Sequence, residues 1–316
     1  MGKVFCLMGP TASGKTAIAC DLVELYPFEI ISVDSAMIYK EMDIGTAKPD
    51  ATTLAKAPHH LIDIVAPTER YSAAQFCNDV NELIETCHQK NRIPLLVGGT
   101  MMYFKSLQQG LSNLPESNPT VRENLLKLGL DKGWPALHKR LASVDMESAK
   151  RIHPHDAQRI QRALEVYELS GKPMSEYFHA VKHKAEHQFV NIMLTPCSRK
   201  WLHERIAIRF HEMIEQGFIE EVEQLIQKWD LKESHPSMKS VGYRQAWLYL
   251  HGKLSKDELI DKGIVATRQL AKRQLTWLRH WPEGYYFEPD NEICQGEIVA
   301  LIKKMLDNTD QKNEEL

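Results

Sequence analysis

The run Gly9-Pro10-Thr11-Ala12-Ser13-Gly14-Lys15-Thr16 sets two glycines, a lysine and a hydroxyl at the spacing of a phosphate-binding loop, G-x-x-x-x-G-K-[ST]. The glycines let the backbone turn so that successive N–H groups point inward at an anion. A helix starting where the loop ends adds its partial positive charge. Lys15 brings a full charge to the terminal phosphate, and the Thr16 hydroxyl can hold Mg²⁺. At ordinary glycine frequency, the four fixed positions would arise by chance in a chain of this length about once in a hundred. The chain is therefore read as a binder of a di- or triphosphate.

Further groups could act on such a ligand. Asp34 closes the apolar run Glu29-Ile30-Ile31-Ser32-Val33. A carboxylate at a strand end, across from a phosphate loop, can ligate Mg²⁺ or serve as general base, although Asp after a strand is also a common helix N-cap. Gly98-Gly99-Thr100 ends a later run; the glycines allow close backbone approach to a ligand, as they would equally allow a tight turn, and Thr100 adds a hydroxyl. That run has no acidic residue at its end and no N-K-x-D follows, which counts against ATPase motors and GTPases. Basic residues gather late. Arg268, Lys272 and Arg279 fall at i, i+4 and i+11 on one helical face, Arg199, Arg205 and Arg209 flank another helix, and Gln158, Arg159 and Arg162 share a third. Interleaved with Trp201, Tyr243, Trp247 and Trp277, they suit RNA, whose bases stack on aromatics while its phosphates meet cations. Each helix alone would read as a solvated charged face. His179, His183 and His187, at i, i+4 and i+8, are read as a surface helix, since no Cys or Glu accompanies them as metal ligands.

These groups need elements to hold them. Val4 to Met8, Glu29 to Asp34, Leu61 to Val65, Ile93 to Thr100 and Phe189 to Leu194 are short apolar runs separated by helical patterns. Such alternation predicts an α/β fold: a parallel sheet of the phosphate-loop NTPase type with helices on both faces. Ligands collect at the carboxyl ends of such strands, so Met8, Asp34 and Val97 should open on one crevice. No strand pattern appears from about residue 112 to 188. The expected organisation is a core of 1–114 and 189–300, a helical insertion of 115–188, and a frayed polar tail of 301–316.

Composition sets bounds. The chain has 316 residues and a formal net charge of −3, so no global basic field draws in nucleic acid; a polyanion needs local clusters. The six cysteines are scattered with no C-x-x-C, which fits buried thiols in a reducing compartment. There is no signal-peptide pattern and no apolar stretch long enough to span a bilayer, so a cytoplasmic location is expected.

Several segments together resemble the tRNA dimethylallyltransferase family, also called tRNA isopentenyltransferases. They are GPTASGKT at 9–16, ISVDSAMIYKEMDIGTAKP at 31–49, HHLIDI at 59–64, YSAAQF at 71–76, PLLVGGTMMY at 94–103, DAQRIQRALEV at 156–166, SVGYRQ at 240–245 and TRQLAKRQLTWLR at 267–279. The resemblance implies transfer of a dimethylallyl group from dimethylallyl diphosphate to N6 of an adenosine. That adenosine would lie 3′ to the anticodon in tRNAs reading codons that begin with U. Gly9 to Thr16 would then hold the diphosphate of a prenyl donor, with Lys15 and Mg²⁺ on Thr16 stabilising the leaving group. Asp34 would be the general base, and Thr100 would help place base and donor. The anticodon stem-loop would meet Asp34-Ser35-Ala36-Met37, Thr100, Arg122, Gln158-Arg159-Ile160-Gln161-Arg162, Lys239-Ser240-Val241-Gly242-Tyr243-Arg244 and Lys272-Arg273-Gln274-Leu275-Thr276-Trp277-Leu278-Arg279. The adenosine would be flipped out of its stack to reach the donor. The enzyme is expected to act as a monomer away from membranes. Many members carry Gln where Met37 stands, so any base reading by that Gln must be done differently here.

Three rivals share some of these features: a small-molecule kinase, a prenyltransferase acting on free AMP, and a nucleotide-gated RNA-binding protein. The basic helices and the long insertion favour RNA, and no arginine-rich lid of a kinase is recognisable.

Overall fold

The computed structural model describes residues 2–179 and 187–314. The chain forms two compact units, Met1–Gln108 with Glu186–Leu316, and Gln109–Ala185. In chain order the first unit begins with β1 (Lys3–Met8), α1 (Lys15–Leu25), β2 (Phe28–Val33), α2 (Ala51–Lys56), β3 (His59–His60), α3 (Ala73–Gln89), β4 (Ile93–Gly98) and α4 (Met101–Gln109). The second unit holds α5 (Pro119–Lys132), α6 (Trp134–Val144), α7 (Met146–Arg151), α8 (Ala157–Ser170) and α9 (Met174–His179). The first unit resumes with β5 (Gln188–Leu194), α10 (Arg199–Glu215), α11 (Phe218–Trp229), a 3₁₀ turn (Ser237–Lys239), α12 (Tyr243–Leu250), α13 (Lys256–Arg279), β6 (Tyr285–Phe287) and α14 (Cys294–Glu314).

Among the described residues the strands make one six-stranded sheet, ordered β3-β2-β4-β1-β5-β6, with every pairing parallel. Alternate side chains serve its two faces, as the twofold period of a strand requires. Val4, Cys6 and Met8 join Ile31, Val33 and Leu96 beneath α3, α4 and the end of α13. Phe5 and Leu7 join Ile30, Leu95 and Ile192 beneath α1 and α14. A further core gathers α10, α11, α12 and α13 around Phe210, Phe218, Tyr243 and Leu259. Burying one such side chain contributes about 1.5–3 kcal/mol.

Two expectations need correction. The run Leu61 to Val65 is no strand. Leu61 and Asp63 take φ of 60° and 55°, in the left-handed region, so β3 stops at His60 and only an isolated bridge joins Val65 to Tyr39. The tail expected to fray from 301 continues α14, which runs to Glu314; near its start Ile298 and Ile302 are fully buried in the core beneath α14. The edge strand β6 lay in no expected run; it is only three residues long. Of the expected histidine helix, α9 ends at His179 and His183 lies outside the described residues.

The second unit has its own core, built on Leu125, Leu137, Leu141, Ile160 and Leu164. Glu165 is wholly buried within it. Its carboxylate accepts the Asn118 N–H at 2.8 Å and an Arg162 Nη1–H at 2.9 Å, with Arg122 Nε 3.6 Å away. Arg162 also donates to the Pro115 carbonyl, at 2.7 Å, and so ties the entry loop to α8. Removing one partner of a buried pair leaves the other charge stranded, at about 3–5 kcal/mol. Glu165→Ala should therefore lower the unfolding free energy measured by denaturant titration by that amount, whereas Glu168→Ala, whose Arg140 bridge is partly exposed, should cost under about 1 kcal/mol.

Candidate active site

β1, β2 and β4 end together. Gly98 is in register with Met8 on one side and Val33 on the other. A Cβ on Gly98 would stand 2.1 Å from the Val33 carbonyl oxygen, so only glycine fits. The phosphate loop, Asp34 and Gly99-Thr100 leave from these three ends. Loop residues, Asp34 and Thr100 line one cavity of about 510 Å³, as the strand-end rule anticipates.

The loop is shaped for an anion. Ala12 and Gly14 take positive φ, 64° and 90°. The N-cap position of α1 is Gly14, with no side-chain cap, so the first N–H groups of α1 have neither a helical carbonyl nor a cap to accept them. Lys15 Nζ donates to the Pro10 carbonyl at 2.7 Å. Burial, reinforced by the charge of Arg209 and opposed by Asp34, pulls the Lys15 ammonium down to about 7. From α10, Arg205 Nε donates to the Ala12 carbonyl at 2.9 Å and its guanidinium lies over Trp201. Arg209, one turn on, lines the cavity beside Lys15; burial lowers its affinity for a proton, and Asp34 acts against that shift. Arg205 and Arg209 stood in the sequence only as part of a basic helix. Their i, i+4 spacing on the helix after a central strand was the available signal.

Asp34 is held by its own turn. Oδ1 accepts the N–H groups of Ala36 at 2.8 Å and Met37 at 3.3 Å, which leaves Oδ2 uncommitted to that turn. Thr100 faces it from β4: its hydroxyl accepts the Ser35 N–H at 3.1 Å, while its own N–H donates to Val33 at 3.2 Å. Met37 lines the cavity. The following turn is pinned by Glu221, a residue no motif pointed to. Its carboxylate accepts the N–H groups of Asp43, Ile44 and Gly45, at 2.9, 2.6 and 3.2 Å, and the Tyr243 hydroxyl at 2.7 Å.

The expected RNA-contact runs divide by burial. Lys239, Ser240 and Val241 line the cavity and Arg244 is exposed, but Tyr243 is wholly buried and acts through Glu221, while Gly242, at φ 88°, is buried and turns the chain into α12. On α13 the side facing the cavity carries Thr267, Leu270, Arg273, Gln274 and Trp277. Arg268, Lys272 and Arg279 do share a face, but none of them lines this cavity; Arg268 points to the His203 carbonyl of α10. Lys272, Thr276 and Arg279 are exposed, Leu275 is half-buried and Leu278 is fully buried in the core. Arg122, Gln158, Arg159, Ile160, Gln161 and Arg162 all belong to the second unit. There Gln158 and Arg159 are exposed, Gln161 donates to the Arg122 carbonyl, Arg162 and Arg122 serve Glu165, and Ile160 is a core residue with no exposed surface.

The fold and site define an α/β protein in which the Asp34 carboxylate, the Thr100 hydroxyl and the basic side chains of Lys15 and Arg209 meet over one cavity at the strand ends. Residues 37–281 match the family model described as IPP transferase. The chain is 54% identical over 306 residues to the tRNA dimethylallyltransferase of Legionella pneumophila (strain Corby), covering 97% of this chain and 98% of that one. It is 50% identical over 301 residues to the tRNA dimethylallyltransferase of Coxiella burnetii (strain Dugway 5J108-111), covering 95% and 97%. Its structure is similar to that of the tRNA isopentenylpyrophosphate transferase from Bacillus halodurans, with TM-score 0.73 and 33% identity over 99% of this chain and 100% of that one. The chain belongs to the IPP transferase family.

Lys15 gives a pH prediction. Above about pH 7 the free protein holds this lysine largely neutral, and a bound diphosphate favours the charged form. Binding in alkaline buffer must then take up a proton, and affinity must fall as pH rises above 7. Calorimetry of an organic diphosphate in two buffers of different ionisation enthalpy should show uptake of close to one proton at about pH 8.5, little at about pH 6, and none in Lys15→Met.

Proposed function

We propose that this protein transfers a dimethylallyl group from dimethylallyl diphosphate to N6 of an adenosine in tRNA, the one on the 3′ side of the anticodon in tRNAs reading U-starting codons. The observation that carries this reading is the composition of the cavity at the strand ends. Its lining combines Thr11, Lys15, Thr16 and Arg209, suited to a diphosphate, with Met101, Ile206, Phe210 and Leu270, suited to a short branched hydrocarbon, and Asp34 with Thr100 lies at the same cavity. The names of the relatives point to the same reaction.

In the proposed step N6 attacks C1 of the dimethylallyl group. The C1–O bond breaks, the diphosphate leaves with the electron pair, and the N6 proton passes to Asp34. The N–H groups at the start of α1, Lys15 and Arg209 hold the charge that grows on the leaving group, where fixed dipoles act most strongly. Thr100 keeps the Asp34 turn in place through Ser35. The reading includes Mg²⁺. The Thr16 hydroxyl, a hard oxygen in the same lining as Lys15, fits such an ion. When bound, it would supply further neutralisation of the diphosphate. The exposed Arg273 and Trp277 at the cavity, a cation and a stacking surface, suit the flipped-out nucleotide and its neighbours.

Incubation of unmodified tRNA with the protein, Mg²⁺ and dimethylallyl diphosphate should yield an adenosine heavier by one dimethylallyl group in nucleoside mass spectrometry. Turnover of ATP with no such product would instead indicate a kinase. Asp34→Asn should cut kcat by about 10²–10⁴-fold while leaving diphosphate binding intact, the pattern of a lost general base.

A further inference from the structure

Gln274 stands in the middle of a helix segment whose resemblance marks it as RNA-contacting, yet its side chain is turned inward. Only 8% of the residue is exposed. Its Oε1 accepts the Thr11 N–H at 2.9 Å, and its Nε2 donates to the Gly99 carbonyl at 2.9 Å. One amide thus joins the phosphate loop after β1 to the turn after β4. The residue opposite is shaped for it: a Cβ on Gly99 would stand 2.3 Å from Gln274 Nε2, so the missing side chain at Gly99 makes the room that the amide occupies.

The bridge also sorts the loop's donors. Thr11 N–H is taken by Gln274 and Ser13 N–H by the Pro10 carbonyl, at 3.3 Å, while the N–H groups at the start of α1 have no helical carbonyl or side-chain cap. Thr100, which steadies the Asp34 turn, is the next residue after Gly99. Gln274 therefore sets the spacing between the diphosphate cradle and the general base from outside both.

We propose that Gln274 is a positioning residue for the donor diphosphate rather than an RNA contact. The amide holds the phosphate loop in register with Gly99-Thr100, so that the leaving group and Asp34 keep their reactive separation. This rests on the reading that the loop holds the donor. If wild-type protein transfers no dimethylallyl group, that reading fails. If it does, the variants below test Gln274 alone.

Gln274→Leu keeps the bulk and removes both hydrogen bonds. Steady-state prenyl transfer should show the donor KM raised and kcat lowered, each about tenfold or more, with the tRNA KM unchanged. Gly99→Ala, which displaces the amide, should give the same defect. In the double variant the two losses should not add, the mark of one shared interaction. Leu259→Ala, at a buried core position of α13, is the control for lost stability; at a matched fall in melting temperature its donor KM should stay at the wild-type value. The proposal is overturned by a Gln274→Leu enzyme in which the tRNA KM rises and the donor KM does not. It is equally overturned if the donor KM of Gln274→Leu is unchanged, or if the losses in Gly99→Ala and Gln274→Leu simply add.

Discussion

The site depends on the crowding at Gly98. Three parallel strands end in register here: one residue is paired with the last residues of two neighbours at once. There is no space for a side chain between it and Val33. The three chain segments that leave this point start from fixed positions a strand spacing apart, about 4.8 Å. A phosphate loop, a carboxylate and a hydroxyl can then be brought to one cavity by short connections, without long flexible arms.

What collects there is costly in the absence of a ligand. Lys15 and Arg209 are basic groups drawn out of water near each other; burial pushes both toward their neutral forms, and the charge of Asp34 acts against that. The start of α1 adds uncapped donors. The surrounding structure holds this arrangement through side chains that bind the backbone of the loops. Arg205 is tied to Ala12, Gln274 to Thr11 and Gly99, and Glu221 gathers three N–H groups of the turn beyond Met37. In the proposed reaction the diphosphate of the donor meets N–H groups already held in place, which is the physical meaning of preorganisation. Local rules of stability are broken at such a place and compensated nearby.

Much of this was legible in the sequence, and the reasons are specific. The phosphate loop and the strand before it are local in sequence, so spacing alone located Lys15 and Thr16. Asp34 and Thr100 could be grouped with them because parallel strands end on one side. The Leu61 to Val65 run misled because apolar composition does not report φ, and two left-handed residues break it. The helical contact runs misled in part because a motif is a stretch of chain, whereas a helix turns each residue by 100°: Ile160, Tyr243 and Leu278 carry the family pattern from inside a core. Glu221 and the supporting role of Gln274 were out of reach. Each acts across more than 170 residues of intervening sequence, on backbone groups that leave no trace in residue type.

The place of β5 in the sheet has a consequence for how the chain is made. β1 pairs with β4 on one edge and with β5 on the other, and the whole helical unit is encoded between them. During synthesis β1, β2 and β4 can assemble early, but the second edge of β1 stays unpaired until Gln188–Leu194 emerges. That edge is short and apolar, the kind that recruits a strand from another chain. The helical unit has its own core and can become compact while the edge waits, which keeps its apolar residues away from that open edge. The β1–β5 pairing thus joins the first residues made to residues past the middle of the chain, a contact of high sequence separation.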